Sequence, residues 1–229
     1  MDLNADLGEG VTDDAGLLAV VTSANVACGF HAGDAAVMRT VCEIAALRGV
    51  VVGAQVSYLD REGFGRRAME VESDVLTQWV LEQVAALGEA AAAAGVEVAY
   101  VKPHGALYNR VVDDEEQAAA VLGGSLALPV LGLPGSALLR LAERAGRTAV
   151  PEGFPDRGYT PQGRLVPRTE PGALIAQVEQ VAANAVALAD HGTVRTVCVH
   201  GDSPDALRAA RAVRRALVGA GWDVRAWSR

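Results

Sequence analysis

The sequence contains a single lysine: of its 20 basic residues, all but Lys102 are arginines. Basic residues are also outnumbered, 20 against 28 acidic, for a net charge of −8. Neutralising nucleic-acid phosphates takes clustered cations, so no nucleic-acid partner is expected. The one basic cluster, Arg208, Arg211, Arg214 and Arg215, has helical spacing and reads as a solvated face. Cysteine is scarce too. Cys28, Cys42 and Cys198 are odd in number and far apart, which excludes a disulfide framework and suits the reduced thiols of the cytosol. No apolar run reaches the roughly 20 residues of a membrane span. The opening Met1-Asp2-Leu3-Asn4 has neither a basic nor an apolar leader segment. The expectation is a soluble cytoplasmic chain with no membrane partner. Three motifs are missing as well: a G-x-x-x-x-G-K-[ST] loop, a G-x-G-x-x-G after the first strand, and H-E-x-x-H. Their absence leaves the chain without an ordinary ATP or dinucleotide site.

What is present is a regular alternation. A chain of 229 residues, 51% hydrophobic and 21% charged, is normal for one α/β barrel. Strands are predicted at Asp2–Asp6, Ala24–Cys28, Val50–Val56, Val96–Val101, Leu128–Leu131, Arg147–Val150, Val194–Val199 and Val224–Trp227. Several are continuous apolar runs, as parallel strands buried on both faces require. Between them, Asp34 caps a helix carrying Val37, Val41 and Ile44, which Gly49 closes. The segment Glu72–Ala94 aligns Leu76, Val80, Val84 and Leu87. Thr169-Glu170-Pro171 and Ser203-Pro204 are each predicted to open a helix. The expected fold is a single domain over residues 1–229 with a mainly parallel sheet. The stretch "PEGFPDRGYTPQGRLVP" at 151–167 reads as a long, packed, functional loop.

Polar residues gather just past the predicted strand ends. They are Asp6 and Glu9; His31 and Asp34; Gln55 and Ser57; Lys102 and His104; Glu152, Asp156 and Arg157; and His200 and Asp202. In a β/α barrel these ends open on one face, where active sites lie. Three of the four histidines, His31, His104 and His200, occupy such positions and point to a shared site. The fourth, His191, precedes Gly192 at a helix end and reads as structural.

Histidines there can move protons. Asp6, Glu9, Asp156 and Asp202 can orient them, act as bases or bind a cation. Lysine offers a compact ammonium whose pKa falls readily on desolvation, suited to proton donation or to polarising a carbonyl oxygen. The other reading of Lys102 is a buried ion pair with an acidic neighbour. Cys28, near His31, is a conceivable nucleophile, though a buried strand-end thiol is more often inert packing.

The motifs "DLNADLGEG", "SANVACGFHAGD", "VKPHGALYN", "FPDRGYTPQGRLVPR" and "VCVHGD" together closely resemble the LamB/YcsF family, in consistent order from residue 2 to about residue 202. Its bacterial members are the A component of an ATP-dependent 5-oxoprolinase. The resemblance implies an irregular (β/α) barrel similar to the glycoside hydrolase/deacetylase barrels. It also implies cleavage of the lactam 5-oxo-L-proline to L-glutamate, coupled to ATP hydrolysis and carried out with subunits B and C. With no phosphate-binding loop here, ATP is a co-substrate expected to be bound partly or wholly by the partners. Asp6, His31, Lys102, His104, Asp156 and His200 are then the expected catalytic set. Glu9, Asn25, Asp34, Gln55, Arg157, Tyr159, Arg168 and Asp202 are expected to bind substrate, with Lys102 and Arg157 steadying negative charge. One departure stands out: the family's Gly-Ala-His-Pro-Ser reads Gly53-Ala54-Gln55-Val56-Ser57, so an imidazole is replaced by an amide that cannot shuttle protons. Two alternatives remain. One is a metal-dependent amidohydrolase or carbohydrate deacetylase, with strand-end Asp and His ligating a divalent ion such as Zn²⁺. The other is a non-catalytic subunit that positions an intermediate.

Overall fold

The computed structural model describes residues 1–11, 13–201 and 205–228. Seven strands alternate with eight helices among these residues: β1 (Asp2–Leu7), α1 (Asp14–Leu18), β2 (Ser23–Ala27), α2 (Ala35–Arg48), β3 (Val51–Val56), α3 (Ser73–Ala93), β4 (Val98–Pro103), α4 (Gly105–Asp113), α5 (Glu115–Gly124), β5 (Val130–Gly132), α6 (Ala137–Arg144), β6 (Ala149–Gly153), α7 (Val178–His191), β7 (Thr196–Val199) and α8 (Ala206–Gly219). The strands form a closed barrel in chain order, every neighbouring pair parallel. It closes through β1 and β7, from Asp2 opposite Thr196 to Ala5 opposite Val199. The barrel is irregular. β4 and β5 share one registered pair, Val101 with Val130, and the β3–β4 register shifts between Val52 and Gly53.

The shift has a packing cause. The phenol of Tyr100 lies flat against Gly53, where a Cβ would stand 2.1 Å from a ring carbon. Only a residue without a side chain admits the ring. Its hydroxyl then crosses the barrel to donate to Asn25 Oδ1 at 2.7 Å.

Every residue of β1 is buried, yet the strand alternates strictly. Leu3, Ala5 and Leu7 join the apolar shell under the helices. Asp2, Asn4 and Asp6 turn into the barrel, as the period of two requires. There Asp2 accepts from Ser23 Oγ at 2.7 Å and from the Thr196 hydroxyl. Asn4 donates to Glu152 Oε1 at 2.9 Å, and Asn25 donates to Asn4 Oδ1 at 2.7 Å. The lumen is thus a hydrogen-bonded polar column, not an apolar plug, in which each side chain named here has at least one partner, while Glu152 Oε2 has none.

Two predicted elements are corrected. Val224–Trp227 is not a strand. β1 is already bonded on both edges, so no edge is left to receive it. The segment bonds to the residue just before β1, Arg225 N donating to Met1 O at 3.1 Å. It lays Ala226 and Trp227 against Tyr100, Val51, Leu131 and Val150, sealing the barrel end opposite the polar strand ends. The helix predicted to open at Thr169-Glu170-Pro171 instead begins at Val178. Residues before it bond back to the preceding loop, with Gly158 N donating to Ala173 O at 3.0 Å and Ile175 N to Asp156 O at 3.0 Å. The predicted loop at 151–167 is packed by two antiparallel bridges, Arg157 with Leu174 and Tyr159 with Leu165. Asp202, expected to bind substrate, and Ser203-Pro204, expected to start a helix, lie outside the described residues.

Candidate functional site

The C-terminal strand ends carry two adjoining polar clusters. The first centres on Lys102, at the end of β4 and 2% exposed. Its ammonium lies 3.1 Å from Asp6 Oδ1 on β1, 3.0 Å from Glu152 Oε1 on β6 and 3.0 Å from Cys198 Sγ on β7. The Phe154 ring closes one side, 5.2 Å from Nζ. Burial alone would favour a neutral amine, but Asp6, Cys198 and Glu152 outweigh it and hold the pKa well above its usual value. This corrects the expectation of a readily lowered lysine: Lys102 is a fixed point charge. Burial also presses on both carboxyls. In Asp6 the cations Lys102 and His200, with His104, overcome it and keep the group ionised; in Glu152 burial wins and the pKa rises.

Beside Lys102, His200 follows β7 and faces Asp156 from the loop after β6. Its Nδ1 lies 2.9 Å from Asp156 Oδ2, and its backbone N–H donates to the same oxygen at 3.0 Å. Burial disfavours the imidazolium, yet the Asp156 carboxylate raises the His200 pKa, and Asp156 is lowered in return. Phe154 stacks on the imidazole with centroids 5.1 Å apart. The result is an imidazole held in one orientation by a carboxylate, an arrangement that delivers a proton from the other ring nitrogen.

The second cluster lies beneath His104. His31 and His104 stack with ring centroids 4.0 Å apart and planes 12° from parallel. Glu9 Oε1 is 3.6 Å from His31 Nε2 and 3.6 Å from His104 Nδ1. Gln55 Nε2 bridges Glu9 Oε1 at 3.1 Å and His104 Nδ1 at 2.9 Å. Burial and the neighbouring His31 lower the His104 pKa well below its usual value, so this imidazole is neutral. Among the described residues, Glu9, His31 and His104 form the one group of such ligand atoms lying within 4.8 Å of one another.

The loop between β3 and α3 closes over this cluster. Phe64 holds a left-handed backbone, φ 56°, a conformation that costs a residue with a Cβ. It aims its carbonyl at His104 Nε2, 3.0 Å away. At Gly65, φ +67°, a Cβ would meet His31 Cβ at 2.9 Å. Glycine is what lets the loop approach this closely.

Asp6, Lys102, His104 and His200 line one cleft of about 700 Å³. Arg66, Arg157, Arg164 and Arg168 line it too. Asp6 and Asp113 share the lining and pair with Lys102 and Arg164, yet five cations against two carboxylates, in a chain of net charge −8, still favour an anionic ligand.

Other expected residues fall elsewhere. Asp34 is exposed and spends its carboxylate capping α2, accepting from Ala36 and Val37 N–H at 2.9 Å each. Asn25 is fully buried under the site, where it donates to Asp6 Oδ1 at 2.9 Å. Arg157 donates to the carbonyls of Ala173 at 3.0 Å and Val166 at 2.7 Å, so it buckles the loop as well as lining the cleft. The Tyr159 hydroxyl accepts from Phe154 N–H at 2.7 Å. Cys28 donates to Val26 O, and burial pushes its thiol pKa up, so it is inert. Glu152, expected just past its strand, lies inside β6 and points inward at Lys102. Its parity with Val150 was the available signal. Nothing in the sequence announced the Phe64 carbonyl.

A model of the LamB/YcsF family matches residues 1–229. The chain is 56% identical to the A component of 5-oxoprolinase from Streptomyces coelicolor, covering 100% of both chains. It is 38% identical to a crystal structure of "Lactam Utilization Protein" from Thermus thermophilus, with a TM-score of 0.91 and 99% of each chain covered. The catalytic domain of a peptidoglycan N-acetylglucosamine deacetylase from Eubacterium rectale shares the fold at 14% identity, TM-score 0.57, over 98% of this chain and 86% of that one.

Proposed function

Because this chain belongs to the LamB/YcsF family, we propose that it is the lactam-opening component of an ATP-dependent 5-oxoprolinase, working with subunits B and C. The observation that carries the reading is the shared cleft. A permanent ammonium and a carboxylate-oriented imidazole face one arginine-rimmed space of about 700 Å³, ample for a five-membered lactam bearing a carboxylate.

The chemistry asks for such a pair. Phosphorylation of the lactam oxygen by ATP, bound by the partners, makes the ring carbon electrophilic. Water adds to it, and the tetrahedral adduct then has two exits. Loss of phosphate regenerates the lactam and wastes ATP. Cleavage of the C–N bond gives an acyl phosphate, which a second water hydrolyses to glutamate and phosphate. The productive exit needs a proton on nitrogen, which His200, oriented by Asp156, is placed to give. Lys102 and the arginines hold the phosphoryl and carboxylate charge, and ionised Asp6 serves as base for the entering water.

The test is to combine the chain with subunits B and C and follow glutamate release from 5-oxoproline, with and without ATP. ATP-dependent glutamate that requires this chain supports the reading. Equal release by B and C alone would reduce the chain to a positioning component.

A further inference from the structure

Two buried atoms of the second cluster, His31 Nε2 and Gln55 Oε1, have no hydrogen-bond partner, on residues 1% and 0% exposed. An unmet polar group at such depth is destabilising, so two in one cluster need a cause. The hydrogen bonds around the cluster fix both tautomers. His104 Nε2 faces the Phe64 carbonyl at 3.0 Å, which only accepts, so it carries the proton and Nδ1 is the unprotonated acceptor that Gln55 Nε2 meets at 2.9 Å. Ser57 Oγ donates to Tyr58 O at 2.9 Å, so it accepts from His31 Nδ1–H at 3.0 Å and leaves His31 Nε2 bare. Two unprotonated imidazole nitrogens, on rings stacked nearly parallel, therefore lie beside the Glu9 carboxylate, each 3.6 Å from the same oxygen. The Gln55 amide N–H group bridges Glu9 and His104, but His31 Nε2 faces the carboxylate with no proton between them.

We infer that Glu9, His31 and His104 bind one divalent first-row transition-metal ion, with Gln55 turning its carboxamide oxygen inward as a fourth ligand. Rotating that amide by half a turn exchanges Nε2 and Oε1, and the unpartnered oxygen then takes the seat between Glu9 and His104. Ligands at 2.0–2.1 Å around a tetrahedral ion stand roughly 3.3 Å apart; the two separations from Glu9 are 3.6 Å, and all three ligand atoms lie within 4.8 Å of one another, so the site closes by side-chain adjustment. Each imidazole is already oriented through its other nitrogen, by the Phe64 carbonyl and the Ser57 hydroxyl, as metal-bound histidines are. Two nitrogens with two oxygens suit Zn²⁺ or Co²⁺; Mg²⁺ and Ca²⁺ demand oxygen cages. Because His104 also lines the cleft, the ion would border the space where substrate reacts. The inference is independent of the lactam assignment, since it concerns metal uptake by the chain alone.

The experiment titrates the chelator-stripped full chain with Co²⁺, reads the visible d–d absorption, and then displaces the ion with Zn²⁺. One Co²⁺ per chain is expected, released by one equivalent of Zn²⁺ and unmoved by excess Mg²⁺. The near-isosteric variants His31→Gln and Glu9→Gln, with folding checked by circular dichroism, should each weaken binding by about 100-fold or more, and Gln55→Ala by about tenfold. His200→Gln, outside the cluster, should bind as the wild type does. Absence of stoichiometric uptake, uptake that survives His31→Gln and Glu9→Gln, or loss in His200→Gln instead would overturn the assignment. A loss of glutamate release with metal uptake intact would strike the lactam reading alone.

Discussion

Lys102 Nζ lies 3.1 Å from Asp6 Oδ1, the two side chains 3% and 4% exposed, joining strands 96 residues apart in sequence across the barrel lumen. Water screens this pair hardly at all, so its value depends on both partners being present. Lys102→Met strands Asp6 and Glu152 as unpaired buried carboxyls. Chemical unfolding should show a loss of about 3–5 kcal/mol, the usual result of breaking a buried pair from one side. Lys102→Arg should fare little better, because Phe154 and Cys198 leave no room for a guanidinium. A variant as stable as the wild type would mean the column tolerates an unpaired charge.

The His200–Asp156 pair sets a pH window. His200 is raised from 6.5 and Asp156 lowered from 3.8. A raised histidine stabilises fully below its unfolded value and loses that contribution as pH rises through its folded value. A lowered aspartate stabilises fully above its unfolded value and loses that contribution as pH falls through its folded one. The pair therefore contributes most between about 3.8 and 6.5. Urea unfolding of wild type and Asp156→Asn should differ most there and converge at both extremes. In the assembled enzyme, Asp156→Asn should move the alkaline limb of the rate profile to lower pH.

Gly53→Ala drives a methyl to 2.1 Å from the Tyr100 ring. Overpacking of this kind costs about 1–3 kcal/mol. The double variant Gly53→Ala, Tyr100→Leu should recover part of that loss in thermal unfolding. No recovery would place the strain elsewhere in β3.

Gln55→His restores the imidazole of the family pattern at a position that touches both Glu9 and His104. Glutamate release by the reconstituted complex should equal or exceed that of the wild type. A large fall would show the cluster has been rebuilt around the amide.

Much of the barrel was legible, because continuous apolar strands and capped amphipathic helices carry their own periods. Seven of the eight predicted strands, the caps at Asp34 and Gly49, and the stripe on α3 follow from local chemistry alone. Val224–Trp227 has strand composition and failed for a reason no local pattern holds: the ring had already closed through β7. Thr169–Pro171 has helix-start composition, yet its neighbours found loop carbonyls first.

Residue types at strand ends were enough to mark Asp6, Lys102, His104 and His200 as candidates for one rim, because strand direction alone sends them there. How they pair was decided only by the closed ring. Closure brought Asp6, Cys198 and Glu152 to Lys102 and turned its pKa upward. The strained turn at Phe64 and Gly65 settled which nitrogen of His104 holds a proton. Charge, tautomer and partner depend on atoms a few ångströms away that belong to distant segments, so composition and spacing along the chain cannot specify them.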